Sequence, residues 1–142
     1  MGIKKKTFIY SIKGLPNMEV QISSEVRKNL VSAFADEKEF CGYGLLTGKV
    51  EGDRVIVEGV IVPTQERSPE MVNVEGEEIK RAAILAIIQD RKVIGTVNYH
   101  GNFTTYESTM ERENRKSLSS QLSMQNAPSV VINVDGELSV YQ

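Results

Sequence analysis

Short apolar stretches of strand length recur through the first half of the chain, with one stretch at helical spacing between them. Residues 7–12 (TFIYSI) and 18–22 (MEVQI) are rich in β-branched and aromatic residues and read as strands, with Gly14, Pro16 and Asn17 as the turn between them. Val26, Leu30 and Phe34 then recur every fourth position, with Val31 and Ala33 beside them. That single stripe predicts a helix lying with one face on a sheet, opened by the hydroxyl of Ser23 or Ser24. Residues 40–50 and 54–62 give the clearest β signal, two arms of a hairpin around Glu51-Gly52-Asp53. Val55, Val57 and Gly59 alternate with Ile56, Glu58 and Val60, so the second arm has one partly exposed face, and Pro63 ends it. Gly42, Gly44 and Gly48 in the first arm predict bulges or close backbone approach.

Residues 64–70 read as a polar, mobile loop containing Pro69. Residues 75–91 carry the strongest helical signal, with an acidic start (Glu75, Glu77, Glu78) and a basic end (Arg91, Lys92) that suit the helix dipole. Its stripe of Ile79, Ala82, Ala83, Ala86 and Ile87 is widened by Ile84, Leu85 and Ile88. A stripe that broad implies burial on more than one side, by this domain or by a partner, and makes Ile84, Leu85 and Ile88 the candidate interface. A strand over 93–97 follows, then a polar loop holding His100. Met110, Asn114, Leu118 and Leu122 stand at helical spacing, predicting a helix over about 110–124. Pro128 stops it, and residues 129–134 and 137–141 pair around Asp135-Gly136. The order predicts an α/β (α+β) fold, a mixed β-sheet flanked by helices, as one domain over residues 1–142.

Composition narrows the classes of function. With 40% hydrophobic and 25% charged residues the chain has the balance of a folded soluble domain. A net charge of −2 gives no electrostatic reason to expect nucleic acid, and Lys4-Lys5-Lys6 is a short terminal run expected to be solvated. No apolar run reaches the roughly 18 residues of a membrane span, and no secretory leader pattern opens the chain. Cys41 stands alone, which excludes an internal disulfide and fits a reducing compartment, so the expected location is cytoplasmic.

The chemistry concentrates in residues 94–114, IGTVNYHGNFTTYESTMEREN, a strand end, a polar loop and a helix start, with the sole histidine inside. Asn98, His100, Ser108 and Glu111 are spaced two, eight and three apart. This frame resembles the signature of the JAMM/MPN family (JAB or Mov34 domains), which comprises zinc isopeptidases and non-catalytic relatives. There a strand ends in His-x-His, followed by seven residues, Ser, two residues and Asp. The run from His100 through Phe103 and Tyr106 to Ser108 looks like a variant of a longer form of that motif. The resemblance spans about residues 18–141 and implies an MPN/JAB fold of cytidine-deaminase-like type. It also implies a Zn²⁺ site: two histidines and an aspartate hold the metal, an upstream glutamate is the general base, and the serine positions water or the oxyanion. Three protein ligands with an open position bring bound water to a pKa near 7, and the carboxylate takes its proton during attack on an amide.

Two ligand positions depart from that pattern. Asn98 puts a neutral amide where an imidazole is expected, and Glu111 replaces aspartate with a carboxylate displaced by roughly 1.5 Å. Residues 98 and 100 share a strand face, so the spacing survives while the ligand does not. For the upstream glutamate, one alignment of the 39–48 stretch selects Glu39 and another selects Cys41. Simpler roles compete: Cys41 as a small buried apolar residue, Ser108 as a helix cap, Glu111 as an acid at a helix N-terminus, and Phe103 and Tyr106 as loop cover. The expectation is a catalytically degenerate JAMM/MPN-like domain that needs no cofactor and pairs with another protein or a second copy of itself. The alternative is a JAMM-type zinc metallopeptidase acting on a ubiquitin-like modifier, with His100, Glu111 and either Glu39 or Cys41 as the metal and base set and Ser108 assisting. A third reading keeps the cleft, without metal, as a pocket for a small molecule or peptide.

Overall fold

The computed structural model describes residues 7–12, 15–121 and 127–141, with residues 11, 12, 15–17, 118, 119 and 121 described by backbone alone. Lys4-Lys5-Lys6, Gly14 and the end of the expected last helix, including Leu122, lie outside the described residues.

A seven-stranded mixed sheet carries the fold, in the order β1-β2-β4-β3-β7-β8-β9. β1 (Thr7–Ile12) pairs antiparallel with β2 (Leu15–Ser23), which runs parallel to β4 (Arg54–Ile61). β3 (Gly42–Glu51) lies antiparallel between β4 and β7 (Lys92–His100). β7 runs parallel to β8 (Ser129–Asn133), which turns back into β9 (Leu138–Tyr141). Parallel neighbours need a long crossover, and helices supply it: α1 (Ser24–Ser32) after β2 and α3 (Thr109–Gln121) after β7. The outer strands β1 and β9 touch without pairing, so the sheet curls nearly into a barrel. A two-stranded ribbon, β5 (Glu66–Arg67) and β6 (Val72–Asn73), and helix α2 (Gly76–Ile88) stand between β4 and β7 in sequence.

The two faces of the sheet bury two cores. Val20, Ile22, Leu46, Val97, Tyr99 and Ile132 close on Leu30 and Phe34 from the α1 segment, where Ser23 caps the helix by accepting a hydrogen bond from the Val26 amide. The Phe34 and Tyr99 rings stack 5.1 Å apart. On the opposite face Tyr43, Leu45 and Ile61 meet Ala82 and Ala86 of α2, whose small side chains let the helix sit close. Strand parity decides which side chains reach which face. The β3–β7 register shifts between Leu46 and Thr47, beyond which Val97 and Tyr99 enter the first core while Thr96, Asn98 and His100 face the other way.

Several expectations change. Pro16 and Asn17 belong to β2 rather than to a turn. β7 does not end at residue 97 but runs through His100, because β3 and β8 pair with it to its end. In α3, Met110 and Asn114 are exposed, and Arg115 is the buried residue among those whose side chains are described, paired with Glu107 by two bonds of 3.0 Å. α2 is buried on one side only, and Ile84, Leu85, Ile87 and Ile88 remain exposed. No helix among the described residues is long and apolar enough to cross a membrane.

The expected mobile loop at 64–70 is strapped down. The Arg67 guanidinium, over the Phe34 ring, donates to the carbonyls of Cys41 (2.9 Å), Phe34 (3.1 Å), Glu37 (2.7 Å) and Phe40 (3.2 Å) and to Asp36 Oδ1 (2.8 Å). These carbonyls belong to the irregular chain between α1 and β3, whose backbone acceptors have no ladder of their own. The Asp36 carboxyl is held below its ordinary range by that Arg67 bond. Gln65 does the same for β3 beyond the end of β4: its amide accepts from the Tyr43 N–H (2.9 Å) and donates to the Tyr43 carbonyl (2.8 Å), as a neighbouring strand would. Gly42 lets the Phe34 ring lie against the strand, since a Cβ there would sit 2.3 Å from Phe34 Cδ1.

Two predictions follow from this accounting. Arg67→Ala strands several carbonyls and is expected to cost about 3 kcal/mol in urea unfolding, with Arg67→Lys recovering little because an ammonium cannot span the same acceptors. A loss below about 1 kcal/mol would mean the strap is incidental. Thr96→Val removes a fully buried hydroxyl that has no hydrogen-bond partner and is expected to stabilise by about 1 kcal/mol; destabilisation would show that the hydroxyl is satisfied in solution.

Candidate functional site

A cleft of about 610 Å³ opens where β7 ends and α3 begins, with the Pro69–Val72 turn as its opposite wall. Asn98 and His100 form its floor, 4% and 9% exposed. Ser108, Glu111 and Asn114 line the α3 side, Cys41 and Met71 the other. A smaller cavity of about 370 Å³, reaching Tyr43 and Ile79, shares Met71, Val72, Met110 and Asn114 with it, so the two adjoin.

His100 and Glu111 are locked together. Nε2 lies 3.0 and 2.9 Å from the two carboxylate oxygens of Glu111. Nδ1 lies 3.2 Å from both the carbonyl and the hydroxyl oxygen of Thr104. The Thr104 hydroxyl donates its proton to Asn102 Oδ1 at 2.7 Å, so toward the ring it can only accept. Both ring nitrogens therefore face acceptors, an arrangement that favours the doubly protonated ring. Burial alone would depress its pKa, but the hydrogen bond and charge of Glu111 outweigh burial and raise it above 6.5. Burial likewise opposes the Glu111 charge, yet the bonds from His100 and the Ser108 amide hold its pKa below 4.5.

Ser108 is engaged as well. Its N–H donates to Glu111 Oε1 (2.9 Å) and its Oγ accepts from the Glu111 N–H (3.1 Å). This reciprocal Ser-x-x-Glu box opens α3 and gives Ser108 the capping role weighed above. The loop from β7 to α3 is tied to the neighbouring hairpin: Asn133 Nδ2 donates to the Phe103 carbonyl (2.9 Å) and the Tyr141 hydroxyl to the Thr105 carbonyl (2.7 Å). Phe103 and Tyr106 are exposed and do not cover the loop as packing.

Cys41 lines the cleft and Glu39 does not. The chain at 38–41 is a turn, not the start of β3, so the two residues do not share a strand face. Glu39 is exposed, its backbone against Gly101, whereas the Cys41 thiol faces the cleft and donates to the Pro69 carbonyl at 3.4 Å. Burial, and then the nearby Glu111 charge, push that thiol's pKa up, the wrong direction for a thiolate ligand. The candidate site thus gathers Asn98, His100, Ser108, Glu111 and Cys41 and leaves Glu39 aside. Thr104 and Asn102 complete the grip on the ring; the Asn-x-Thr turn was their only signal in the sequence.

The donor set does not fit a catalytic zinc. A metal-bound imidazole must offer a bare lone pair, and His100 Nε2 spends its proton on Glu111. Asn98 supplies only an amide, and among the described residues no group of three His, Cys, Asp or Glu side chains is placed to hold a metal ion.

No family model and no curated protein matches the chain. Among solved structures it is similar to the protein DSY2949 from Desulfitobacterium hafniense, a structural-genomics target determined in solution. The TM-score is 0.60 at 16% identity, over 82% of this chain and 77% of that one, a likeness of fold alone.

The pair predicts a stability window. The raised His100 pKa contributes stability fully present below 6.5 and lost as pH rises through the folded value. The lowered Glu111 pKa contributes stability present above 4.5 and lost as pH falls through its folded value. Glu111→Gln keeps a capping-box residue and removes the charge, so it is expected to cost about 2 kcal/mol between these limits and less on either side. A penalty independent of pH in paired urea titrations would show that the charge is immaterial.

Proposed function

We propose that the chain is a non-catalytic protein-interaction module built on an MPN/JAB-type scaffold, with a centre in which an internal ion pair stands in the place of a metal. The observation that carries this reading is that His100 and Glu111 are each other's partners, at positions whose spacing with 98 and 108 is the one on which the resemblance rests. A mixed sheet with helices on its faces, and those four residues meeting at the end of β7 and the start of α3, support the scaffold assignment. The alternative of a metallopeptidase acting on a ubiquitin-like modifier asks for a third strong ligand and a placed carboxylate base. Asn98 and Cys41 stand where those would be.

The surface that would do the pairing is the outer face of α2. Ile84, Leu85, Ile87 and Ile88 are 55%, 43%, 74% and 74% exposed, roughly a few hundred Å² of contiguous apolar surface on one helix. Covering such a patch is favourable by about 25 cal/mol per Å² before the cost of association, so it would form the apolar centre of a larger interface.

Protein purified without chelator is expected to contain less than about a tenth of an equivalent of zinc and to show no isopeptidase turnover. Near-stoichiometric zinc with hydrolysis would reverse the reading. By light scattering at high concentration the chain is expected to self-associate and Ile88→Glu to be monomeric; a strictly monomeric parent would argue against self-pairing.

A further inference from the structure

Asn98 is the polar group this reading leaves unused. It is nine-tenths buried, lines the floor of the cleft, and no hydrogen bond joins its side-chain amide to any described residue. The only buried side-chain atoms without a partner among the described residues are Thr96 Oγ1 and Ser129 Oγ, so the Asn98 amide is reached from the cleft, while His100 and Glu111 are paired with each other. Its open side is the cleft. A carboxamide presents one acceptor and two donors in a plane, and a second carboxamide, with its own donor and acceptor side by side, matches it at two points.

Charge and shape narrow the ligand further. The positive ring of His100 is neutralised by Glu111, and among the described residues no lysine or arginine lines the cleft, so an anion would find no counter-charge. Glu70, on the rim, is exposed and screened. Met71, Val72 and Met110 line both the cleft and the adjoining cavity that reaches Tyr43 and Ile79, an apolar wall against which an apolar body can lie. Flexible methionines at such a mouth can close over what enters.

We infer that the cleft binds a neutral carboxamide carrying an apolar group, with the amide paired to Asn98 and the apolar part between Met71 and Met110. The inference does not depend on whether α2 pairs with another protein, nor on the MPN-type assignment. The group could arrive on a small molecule or as the carboxamide side chain of a peptide, and the chemistry recognised is the same.

Three probes of one shape separate the chemistry: benzamide (neutral, donor and acceptor), benzoate (anionic, acceptor only) and benzamidine (cationic, donor only). The readout is the Asn98 side-chain NH₂ signal of ¹⁵N-labelled protein during titration. Benzamide is expected to give a saturable shift, with benzoate and benzamidine at least about ten-fold weaker, the factor for leaving one buried hydrogen-bonding atom unpaired. Asn98→Leu, similar in shape and followed through the backbone amide signals of Met71 and Met110 because it lacks that NH₂, is expected to weaken benzamide about ten-fold while the spectrum stays folded. Should that variant not fold, the ranking of the three probes on the parent protein decides by itself. A short peptide with a central Gln flanked by Ala distinguishes the two sources by competing with benzamide or failing to. Equal response to the three probes, or no saturable shift with benzamide, overturns the inference.

Discussion

Both nitrogens of one imidazole point at oxygen atoms that can only accept, and that constraint shapes the centre of this molecule. A ring so placed is favoured with two protons, and a ring with two protons is a cation on the floor of a cleft. The Glu111 carboxylate answers it, and the same carboxylate caps the helix that brings it there. Ion pair, helix start and loop are therefore one unit: β7 delivers the ring, Thr104 fixes its inner edge, and α3 cannot shift along its axis without uncovering a buried charge.

The opposite wall depends on a second cation used in another way. Arg67 offers no chemistry to the cleft; it gathers the carbonyls between α1 and β3 and so sets the path that turns Cys41 inward and Glu39 out. A strand would have placed both on one face. The turn places one, and the residue delivered is a thiol whose pKa is raised by burial. The cleft is thus formed by two strapped segments on a rigid sheet, and neither supplies a free base beside a free ligand.

Much of the fold could be read in advance because its signals are local. The hairpin at Gly52-Asp53, the cap at Ser23 and the turn at Asp135-Gly136 each depend on neighbouring residues, and each stands where expected. The spacing of residues 98, 100, 108 and 111 likewise brought those four to one place. What could not be read were bonds across long separations. Arg67 binds residues about 30 positions away, Gln65 acts as a missing strand 22 positions from Tyr43, and Arg115 is buried only because Glu107 meets it. None has a period or motif. α2 shows a different gap: its width of apolar stripe was legible, but whether Ile84 and Ile88 lie inside or outside depends on the sheet having room for only one face, which Ala82 and Ala86 occupy.

The chain has a single histidine, so ¹⁵N NMR of its ring reports the centre without ambiguity. A titration should give a midpoint above 6.5, with both ring nitrogens protonated below it and the pattern unchanged when one equivalent of zinc is added there. A midpoint at or below 6.5, with a bare Nε2 whose signal moves on adding stoichiometric zinc, would mean that the ring is a ligand awaiting its metal and not the cation of an internal pair.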